Sequence, residues 1–562
     1  MSERAMDSPL LPASTDVLVR SIGSTRRWST GREILILLLG LAAFAVALSP
    51  ALIETGTPPG WDQSVHLRDS LVYEQIVRHP AALGGGVFGN ILHGSDEYPL
   101  LTPSGYYPPL VPGVTALLYL VAGRSYAAAM ATQILFLALL ILGTWLLGNR
   151  LMGAPVGLGA ALMLLAAPGV RLNAGEYMLD LPLAAVVVLA AWILMASDGF
   201  LRLDRSLGFG LLAGAGMLIK WTFFLFLALP VIWVLASGVA ASRQEPHQRN
   251  RRWMHFALAI LAAGVIAAPY YLPILPILVM KTVVHAGGAA DGVSSPFTLE
   301  SVRFHLEALP RKLFGLPLTI TAAAGILAFL WRDSKPARGR WLLPSWALVL
   351  YAVFTFAVGN KQSRYLLPWL PILLLMAAGG LVTLWRRFSS GRAWVRVAAG
   401  ALALVPVTGL AGGWGTEYTG DWNIRPLVER LEGDLAGRTP LSSKAYRLGV
   451  IPDMREVNGP TIAYYAARRD LPVAVVQLVN RMKRHVSVEV GLDPFDRGDF
   501  YETFDQYDFM VTKTGVNAVP PWEDVVPRMQ AYFEARIASF ELLASFQEPD
   551  GSTLALYGKR RR

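Results

Sequence analysis

Residues 206–239 read SLGFGLLAGAGMLIKWTFFLFLALPVIWVLASGV, and Lys220 is the only charged side chain in this stretch. Basic residues flank it on both sides, with Arg205 before it and Arg243 after it. A single membrane helix would place these two flanks on opposite sides of a bilayer, whereas two short helices place both in the cytoplasm, where basic loops accumulate. The stretch therefore predicts two membrane helices that turn at Lys220, with this lysine at the outer end.

The composition of the whole chain agrees with a membrane protein. Hydrophobic residues make up 54% and charged residues only 16% of the 562 residues, and the mean hydropathy is +0.43. These values exclude an ordinary soluble enzyme, a disordered chain and a fibrous repeat. Since the basic residues lie beside apolar runs, the net charge of +10 indicates a lipid bilayer as partner and not a nucleic acid. The absence of cysteine excludes disulfides, thiolate metal sites and a cysteine nucleophile.

Further apolar runs predict additional crossings. They cover residues 34–52, 126–147, 155–168, 181–196, 253–272, 313–331, 341–358, 365–385 and 395–413. The fold predicted is a polytopic α-helical membrane protein with about eleven to thirteen transmembrane helices. Residues 110–123 are also apolar. If this stretch does not cross the membrane, five basic loops lie together in the cytoplasm, as the charge rule requires. We therefore interpret it as a partly buried helix that packs against the bundle.

The predicted membrane crossings also divide the chain into domains. Residues 1–32 form a cytoplasmic arm, because arginines precede the first apolar run, and residues 33–415 form the membrane domain. Residues 416–562 are more polar and long enough for a core of their own, which predicts a soluble extracytoplasmic α/β domain. Within it, residues 424–435 are helix-like and residues 509–512 are strand-like. Residues 540–546 and 553–557 predict a hairpin around Glu548-Pro549-Asp550-Gly551.

Three polar segments then lie outside the membrane, at residues 53–107, 169–180 and 274–312. The first contains Gly60-Trp61-Asp62-Gln63, in which Asp62 is either a functional carboxylate or a helix N-cap. In the second, Glu176 and Asp180 are four residues apart, so on a helix both carboxylates would share one face. An acid beside a membrane helix is expected to face protein or a polar cavity, although Asp180 as an interfacial N-cap is the alternative.

Two outer helix ends carry cations. Lys220 either reaches the membrane surface or meets an anion inside the bundle. The stretch Gly359-Asn360-Lys361-Gln362-Ser363-Arg364-Tyr365 places cations on the outer side, against the usual charge rule. A phosphate-bearing ligand explains this exception, because it forms charge-assisted hydrogen bonds with lysine and arginine.

At these residues the chain resembles the lipid-carrier-dependent glycosyltransferases of the GT-C fold, in particular the bacterial protein O-mannosyltransferase-like and aminoarabinose-transferase-like branches. Four blocks match in order over residues 30–415: Trp61-Asp62, Pro108-Pro109-Leu110, Asp180-Leu181-Pro182-Leu183 and Arg364-Tyr365-Leu366-Leu367-Pro368. Lys220 lies where relatives have a lysine in a glycine-rich helix. The resemblance implies an inner-membrane enzyme that transfers a sugar from a polyprenyl-phosphate donor to an extracytoplasmic acceptor, with inversion at the anomeric carbon.

The resemblance also implies roles for individual residues. Asp62 is similar to the base that activates the acceptor hydroxyl, and Asp180 to a second acid that orients the site or holds a divalent cation. Lys220 and Arg364 are similar to the groups that neutralise the donor phosphate, and Tyr365 would hydrogen-bond phosphate or sugar.

Two departures from the family pattern leave metal dependence open. Gln63 replaces a second acid, and Tyr107 replaces a lysine before the two prolines. Asp96, Glu97 and Glu176 are the remaining candidates for a metal or for the acceptor. His66 is a further candidate for the same role, and together with His93, His285 and His305 it is interpreted as a surface or acceptor-pocket residue, because no two of these histidines have zinc-ligand spacing.

The sequence leaves two further classes of function open. One is a transporter of lipid or sugar, for which related halves and charges near mid-membrane are typical. The other is an assembly factor whose outer domain binds partners. The kind of sugar, and whether the acceptor is a protein, a glycolipid or a polysaccharide, also stay open.

Overall fold

The fold was analysed on a computed structural model of the chain. It describes residues 30–52, 54, 56–78, 104, 107–286, 297–331, 341–359, 361–388, 420–438, 445–479, 501–518 and 522–560. The predicted crossing at residues 395–413 and the arm before residue 30 lie outside the described residues.

The first half of the membrane domain consists of nine described helices. They are α1 (Thr30–Leu52), α2 (Trp61–Arg78), α3 (Leu110–Ala122), α4 (Tyr126–Met152), α5 (Ala154–Ala166), α6 (Pro168–Ala174), α7 (Asp180–Ala196), α8 (Leu203–Met217) and α9 (Phe223–Ala241). The chain turns between Met217 and Phe223, which confirms the two helices predicted on either side of Lys220. The outer segment 169–180 was expected to be a loop, but it contains most of α6, whose first turn begins with Pro168.

The second half of the membrane domain consists of five described helices. They are α10 (Pro246–Ala286), α11 (Leu299–Ala308), α12 (Gly315–Trp331), α13 (Leu342–Phe356) and α14 (Leu370–Phe388). The prediction that residues 274–312 form an outer loop is wrong for most of this segment. Helix α10 continues to Ala286 through Pro269, Pro273 and Pro276, because prolines are tolerated inside membrane helices when neighbouring groups satisfy the freed carbonyls. Helix α11 follows, and the chain bends by 118° between residues 299–313 and α12.

The apolar helices are consistent with a chain that crosses the membrane several times. Within the described residues, five helices are long and apolar enough to span a bilayer, and up to seven do so if each of two bent pairs forms one span. Three shorter apolar helices, α3, α7 and α13, accompany them. The chain is a polytopic helical membrane protein, and the predicted number of eleven to thirteen crossings stays a prediction.

Small residues bring two of these helices close together. A Cβ atom at Gly380 on α14 would overlap the carbonyl of Gly325 on α12, so both backbones need a residue without a side chain at this crossing. Close approach of this kind strengthens van der Waals contact between membrane helices. Helix α14 is thereby held inside the bundle, with Leu374 and Leu375 fully buried.

The C-terminal part is an α/β unit, and the elements predicted there are confirmed. It contains α15 (Ile424–Ala436), β1 (Tyr446–Val450), α16 (Gly459–Arg468), β2 (Val473–Gln477), β3 (Phe509–Lys513), α17 (Val525–Glu534), β4 (Phe540–Gln547) and β5 (Thr553–Lys559). The strand order is β2-β1-β3-β5-β4, with β1 parallel to β2 and β3, and with β5 antiparallel to β3 and β4.

Successive side chains of a β-strand point to opposite faces of the sheet, so the strands contribute side chains to two apolar clusters. On β3, Phe509 and Val511 belong to the cluster that includes Leu431 of α15, whereas Met510 belongs to the cluster that includes Phe533 of α17. Helices therefore cover both faces of the sheet, which explains why β3 is buried along its whole length.

The α/β unit is attached to α2 and to the residues that precede it. Helix α16 packs on α2, and Thr461 Oγ1 donates to the Pro59 carbonyl at 3.1 Å. Arg468 Nη1 contacts both oxygens of Glu54 at 2.8 and 2.7 Å, and Arg124 Nη1 lies 2.6 Å from Asp470 Oδ2. The unit therefore holds the N-terminal end of α2, where Asp62 lies.

Candidate active site

Asp62 lies in the first turn of α2. The helix begins after Pro58-Pro59-Gly60, and Trp61 Nε1 donates to Asp453 Oδ1 of the α/β unit at 2.9 Å. A carboxylate in the first turn of a helix is stabilised by the partial positive charge of the helix N-terminus. Sequence and fold therefore place an ionised Asp62 at a fixed position on the face of the membrane domain that contacts the α/β unit.

Lys220 lies in the turn between α8 and α9. The backbone of this turn is held by Leu110 N, which donates to the Leu218 carbonyl at 2.9 Å, and by the Tyr271 hydroxyl, which donates to the Met217 carbonyl at 2.6 Å. Gly216 is required here, because a Cβ atom at this position would overlap the Phe223 ring. The start of α3 is thus fixed against the Lys220 turn.

Arg364 and Tyr365 lie on a short 3-10 helix, Ser363–Trp369, that leads into α14. Pro368 interrupts regular α-helical hydrogen bonding at this point, because it has no N–H group to donate. The adjoining residues Leu366, Leu367 and Leu370 are almost fully buried, so the backbone that carries Arg364 is packed inside the bundle.

Four charged side chains from these elements form one connected network. Arg364 Nη2 lies 2.7 Å from Asp62 Oδ2, and Arg364 Nε lies 3.5 Å from Asp180 Oδ2. Lys220 Nζ lies 2.7 Å from Asp180 Oδ1. Two carboxylates and two cations therefore alternate along the network, although they come from parts of the sequence about three hundred residues apart.

Burial differs along this network and suggests different tasks. The Asp180 side chain is only 2% exposed, whereas Lys220 and Arg364 are 20% and 23% exposed and Asp62 is 39% exposed. A buried carboxylate needs partners, and Asp180 has them in both cations. Asp180 therefore orients the cations, and Asp62 remains accessible to a ligand.

Two tyrosines complete the site. Lys220 Nζ lies 4.3 Å from the centre of the Tyr365 ring, and the guanidinium carbon of Arg364 lies 5.8 Å from it, which are cation–π distances. The Tyr107 hydroxyl donates to Asp62 Oδ1 at 3.2 Å. Tyr107 thus contacts the carboxylate of Asp62 directly.

The charges around Asp62 decide its protonation state. Burial by itself would raise the pKa of Asp62, but the charge and hydrogen bond of Arg364, aided by the Tyr107 hydroxyl, hold the pKa below its usual value. One turn further along α2, burial lowers the pKa of His66 to about 4. At neutral pH Asp62 is therefore an anion and His66 is uncharged.

His66 is not a surface residue, which corrects one of the two alternatives expected for it. It is 1% exposed, and its ring packs edge-on against Tyr107 with the ring centres 4.4 Å apart. Among the described residues its Nδ1 atom has no hydrogen-bond partner. His305 is also buried and contacts the Phe354 carbonyl through Nε2, and the side chains of His93 and His285 lie outside the described residues.

Glu176 and Asp180 do not share a helical face, so this expectation is wrong. Helix α6 ends at Ala174 and α7 begins at Asp180, and Glu176 lies in the irregular link between them. Tyr177 in the same link is fully buried. Glu176 instead lies 3.7 Å from Arg455 of the α/β unit. Burial raises the pKa of Glu176, and the charge of Arg455 counteracts part of this effect.

The described residues do not fit a divalent cation. They contain no group of three or more histidine, aspartate or glutamate side chains that could hold a metal ion. The two oxygens of Asp180 face Lys220 and Arg364, and those of Asp62 face Arg364 and Tyr107. Asp96 and Glu97, the other candidates for a metal or for the acceptor, lie outside the described residues.

Lys361 has a different role from Arg364, although both break the charge rule. Its Nζ atom donates to the carbonyls of Phe354, Thr355 and Val358 at 3.1, 2.8 and 3.0 Å. A cation at a helix C-terminus satisfies unpaired carbonyls and interacts favourably with the helix dipole. Lys361 therefore caps the end of α13 and does not join the network.

Sequence reasoning missed Arg455 and Tyr177 at this site. No motif identifies Arg455, since it reaches Glu176 only through the docking of the α/β unit on α2. Met178 was also missed, and its Sδ atom lies 3.8 Å from Arg364 Nη1. Tyr177 and Met178 lie between Glu176 and Asp180, and this position between two acids was the only available signal.

Comparison with known proteins adds a sequence match. Residues 107–272 match the sequence model of the family described as dolichyl-phosphate-mannose-protein mannosyltransferase. This range includes Asp180 and Lys220 but excludes Asp62 and Arg364. An undecaprenyl phosphate-alpha-4-amino-4-deoxy-L-arabinose arabinosyl transferase from Pectobacterium carotovorum is 30% identical over 220 residues. The aligned region covers 36% of this chain and 36% of that relative.

Solved structures match over a larger part of the chain. ArnT from Cupriavidus metallidurans in the apo state has a TM-score of 0.59 and 17% identity, covering 94% of this chain and 98% of that chain. The same protein bound to undecaprenyl phosphate has a TM-score of 0.58 at the same identity and coverage. The archaeal oligosaccharyltransferase AglB from Archaeoglobus fulgidus, in complex with an inhibitory peptide and a dolichol-phosphate, has a TM-score of 0.54 and 14% identity. It covers 94% of this chain and 74% of that one.

Proposed function

We propose that the protein is an integral membrane glycosyltransferase that takes a sugar from a polyprenyl-phosphate donor, because the chain has the GT-C fold that its four sequence blocks predict. The sugar is transferred to a hydroxyl group of an acceptor outside the cytoplasm, with inversion at the anomeric carbon. The observation that carries the proposal is the alternating network of Asp62, Arg364, Asp180 and Lys220.

The two cations are suited to the donor phosphate. Lys220 and Arg364 are each about one-fifth exposed, and both lie within cation–π distance of the Tyr365 ring. As the bond between the anomeric carbon and the phosphate oxygen breaks, negative charge builds up on the phosphate, and positioned cations stabilise that charge. Tyr365, which lies beside both cations, would contact the phosphate or the sugar.

Asp62 is suited to the acceptor. In the proposed reaction its carboxylate takes the proton of the acceptor hydroxyl, whose oxygen attacks the anomeric carbon while the lipid phosphate leaves. Arg364 holds the pKa of Asp62 low, which makes it a weak base. When the donor phosphate shares Arg364, this effect weakens and Asp62 becomes a better base for the second substrate.

The arrangement in the membrane is part of the proposal. Residues 1–32 would lie in the cytoplasm, residues 33–415 would form the membrane domain of an inner-membrane protein, and residues 416–562 would lie outside the cytoplasm. The docking of the α/β unit beside Asp62 supports placing the site and this unit on the same side. The acceptor class, whether protein, glycolipid or polysaccharide, is to be found from the glycans that a deletion strain lacks, by mass spectrometry.

The test is sugar transfer by the purified full-length chain in liposomes, with radiolabelled synthetic polyprenyl-phosphate sugars as donors and membrane extract of the deletion strain as acceptor. We expect Asp62→Asn to lower kcat by about 10²- to 10⁴-fold, as for loss of a general base. Lys220→Met should lower kcat and raise the donor KM, because it removes a cation that binds the phosphate and stabilises the charge formed as the bond breaks. Asp204→Asn is the matched control, because Asp204 is 61% exposed and, in the described part of the chain, its ion pairs are with the neighbouring Arg202 and Arg205.

Transfer by Asp62→Asn at half the wild-type rate or more would remove the assigned base. Movement of labelled donor across the liposome membrane without transfer would favour the transporter alternative. Normal glycans in the deletion strain together with failed assembly of a partner protein would favour the assembly-factor alternative.

A further inference from the structure

Tyr177 occupies the link between α6 and α7, three residues before Asp180. Its side chain is fully buried, although a phenol carries a polar hydroxyl group that needs a partner. No role in the proposed chemistry requires it, since it contacts neither the cations nor Asp62. Its hydrogen bonds indicate what it does.

The phenol hydroxyl of Tyr177 joins three helices. It is hydrogen-bonded to Ser70 Oγ on α2 at 2.9 Å and to Thr115 Oγ1 on α3. Thr115 Oγ1 is in turn 2.7 Å from Thr132 Oγ1 on α4. All three hydroxyl residues are fully buried, so water does not compete for these bonds.

The backbone of the same link is held at two further points. Tyr177 N donates to Gln63 Oε1 at 3.3 Å, and Gln63 directly follows Asp62. The Met178 carbonyl accepts from Gln133 Nε2 on α4 at 2.9 Å. The link thus contacts α2 at two points, beside Asp62 and about two turns further along the helix at Ser70.

We propose that Tyr177 is a positioning residue that sets the distance between Asp62 on α2 and the Asp180–Arg364 pair in the bundle. The inference rests on the proposed function, in which Asp62 is the base and Arg364 binds the donor phosphate. It also gives Gln63 a task, because a neutral amide at this position accepts the Tyr177 N–H without adding a charge next to Asp62. Misplacing a base by about 1 Å lowers the rate of the chemical step far more than it weakens binding.

The variant Tyr177→Phe tests this role without opening a cavity. Ser70 keeps its hydrogen bond to the His66 carbonyl at 2.9 Å, and Thr115 keeps its bond to the Val111 carbonyl at 3.2 Å. Each hydroxyl therefore retains a partner inside its own helix, whereas the connection between α2 and α3 through the Tyr177 hydroxyl is lost. Tyr351→Phe is the matched control, because its hydroxyl donates to the Val302 carbonyl at 2.8 Å between two other helices.

The chain contains no cysteine, so spin labels can be placed at chosen sites. Val77→Cys on α2 and Val121→Cys on α3 are suitable, since these side chains are 50% and 90% exposed. Pulsed electron paramagnetic resonance then measures the distance between α2 and α3 in the full chain. We expect Tyr177→Phe to broaden the distance distribution about twofold, and Tyr351→Phe to leave it unchanged.

Transfer kinetics provide the second readout. We expect kcat to fall about tenfold in Tyr177→Phe with an unchanged donor KM, and no change in Tyr351→Phe. An unchanged label distribution in Tyr177→Phe would overturn the inference, and so would a broadened distribution with wild-type kcat. Absence of transfer in the wild type would instead overturn the proposed function, and the label distances would still report whether Tyr177 positions α2.

Discussion

Removing the charge of Asp180 tests the network most directly. In Asp180→Asn the amide keeps the shape of the side chain, but Lys220 and Arg364 lose their shared anion. The contact at 2.7 Å to Lys220 is a charge-assisted hydrogen bond, worth about 1.5–3 kcal/mol, and the contact at 3.5 Å to Arg364 contributes less. Because both cations are about one-fifth exposed, water recovers part of this loss. We expect the variant to be destabilised by about 2–4 kcal/mol.

The assay is thermal unfolding of the purified chain in a neutral detergent, where this loss lowers the unfolding midpoint by roughly 2–3 °C, given the large unfolding entropy of a chain of this length. Lys220→Met in the Asp180→Asn background should cost less than the sum of the single changes, since one charge is then no longer left unpaired. Asp204→Asn, an exposed carboxylate, should change the midpoint by less than about 1 °C. A midpoint of Asp180→Asn within 1 °C of wild type, or strictly additive effects, would refute the buried network.

Three further outcomes follow from the structure. The pKa of His66 is about 4 in the folded state and 6.5 in the unfolded state, so the folded state disfavours the charged form and stability is lost as pH falls from 6.5 towards 4. His66→Gln should reduce this loss in pH-dependent thermal unfolding. An unchanged dependence of the unfolding midpoint on pH would contradict this prediction. Gly380→Ala should greatly reduce the yield of folded protein in size-exclusion chromatography, because its Cβ would overlap the Gly325 carbonyl. Gly264→Ala is the control and should be tolerated, since the space around Gly264 is open. Equal yields of the two variants would disprove the tight helix crossing. Glu54→Gln should speed amide hydrogen exchange in α16 about tenfold, since Arg468 loses its ion pair. Glu429→Gln removes an exposed ion pair and should leave this exchange unchanged. Equal exchange rates in the two variants would argue against this attachment of the α/β unit.

The sequence predicted the helices best where apolar length and flanking charge agreed. The two helices around Lys220 are the clearest case, because the arginines on both flanks admit only one arrangement. The end of the helix predicted from the apolar run 253–272 was placed too early. Helix α10 passes three prolines without ending, and this depends on neighbours that sequence alone does not reveal.

The candidate site was predictable as a set of residues but not as a geometry. Asp62, Asp180, Lys220 and Arg364 were identified from their positions at outer helix ends, and the structure brings all four together. The pairing of Glu176 was not predictable, since it depends on whether the link after α6 continues as a helix. Arg455 and the buried hydroxyl contacts of Tyr177 depend on tertiary packing, for which the sequence has no periodic signal.

The contact between Arg364 and Asp62 also bears on how the enzyme would be freed for another cycle. A lipid phosphodiester carries one negative charge, and after sugar transfer the spent carrier is a monoester with up to two, which binds cations more strongly. Departure of this carrier would leave both cations without a counter-ion unless carboxylates were already close by. Once Asp62 has released the proton taken from the acceptor, its carboxylate, which lies 2.7 Å from Arg364 in this structure, can return to the guanidinium and compete with the outgoing lipid, so turnover would end with the base itself displacing the by-product.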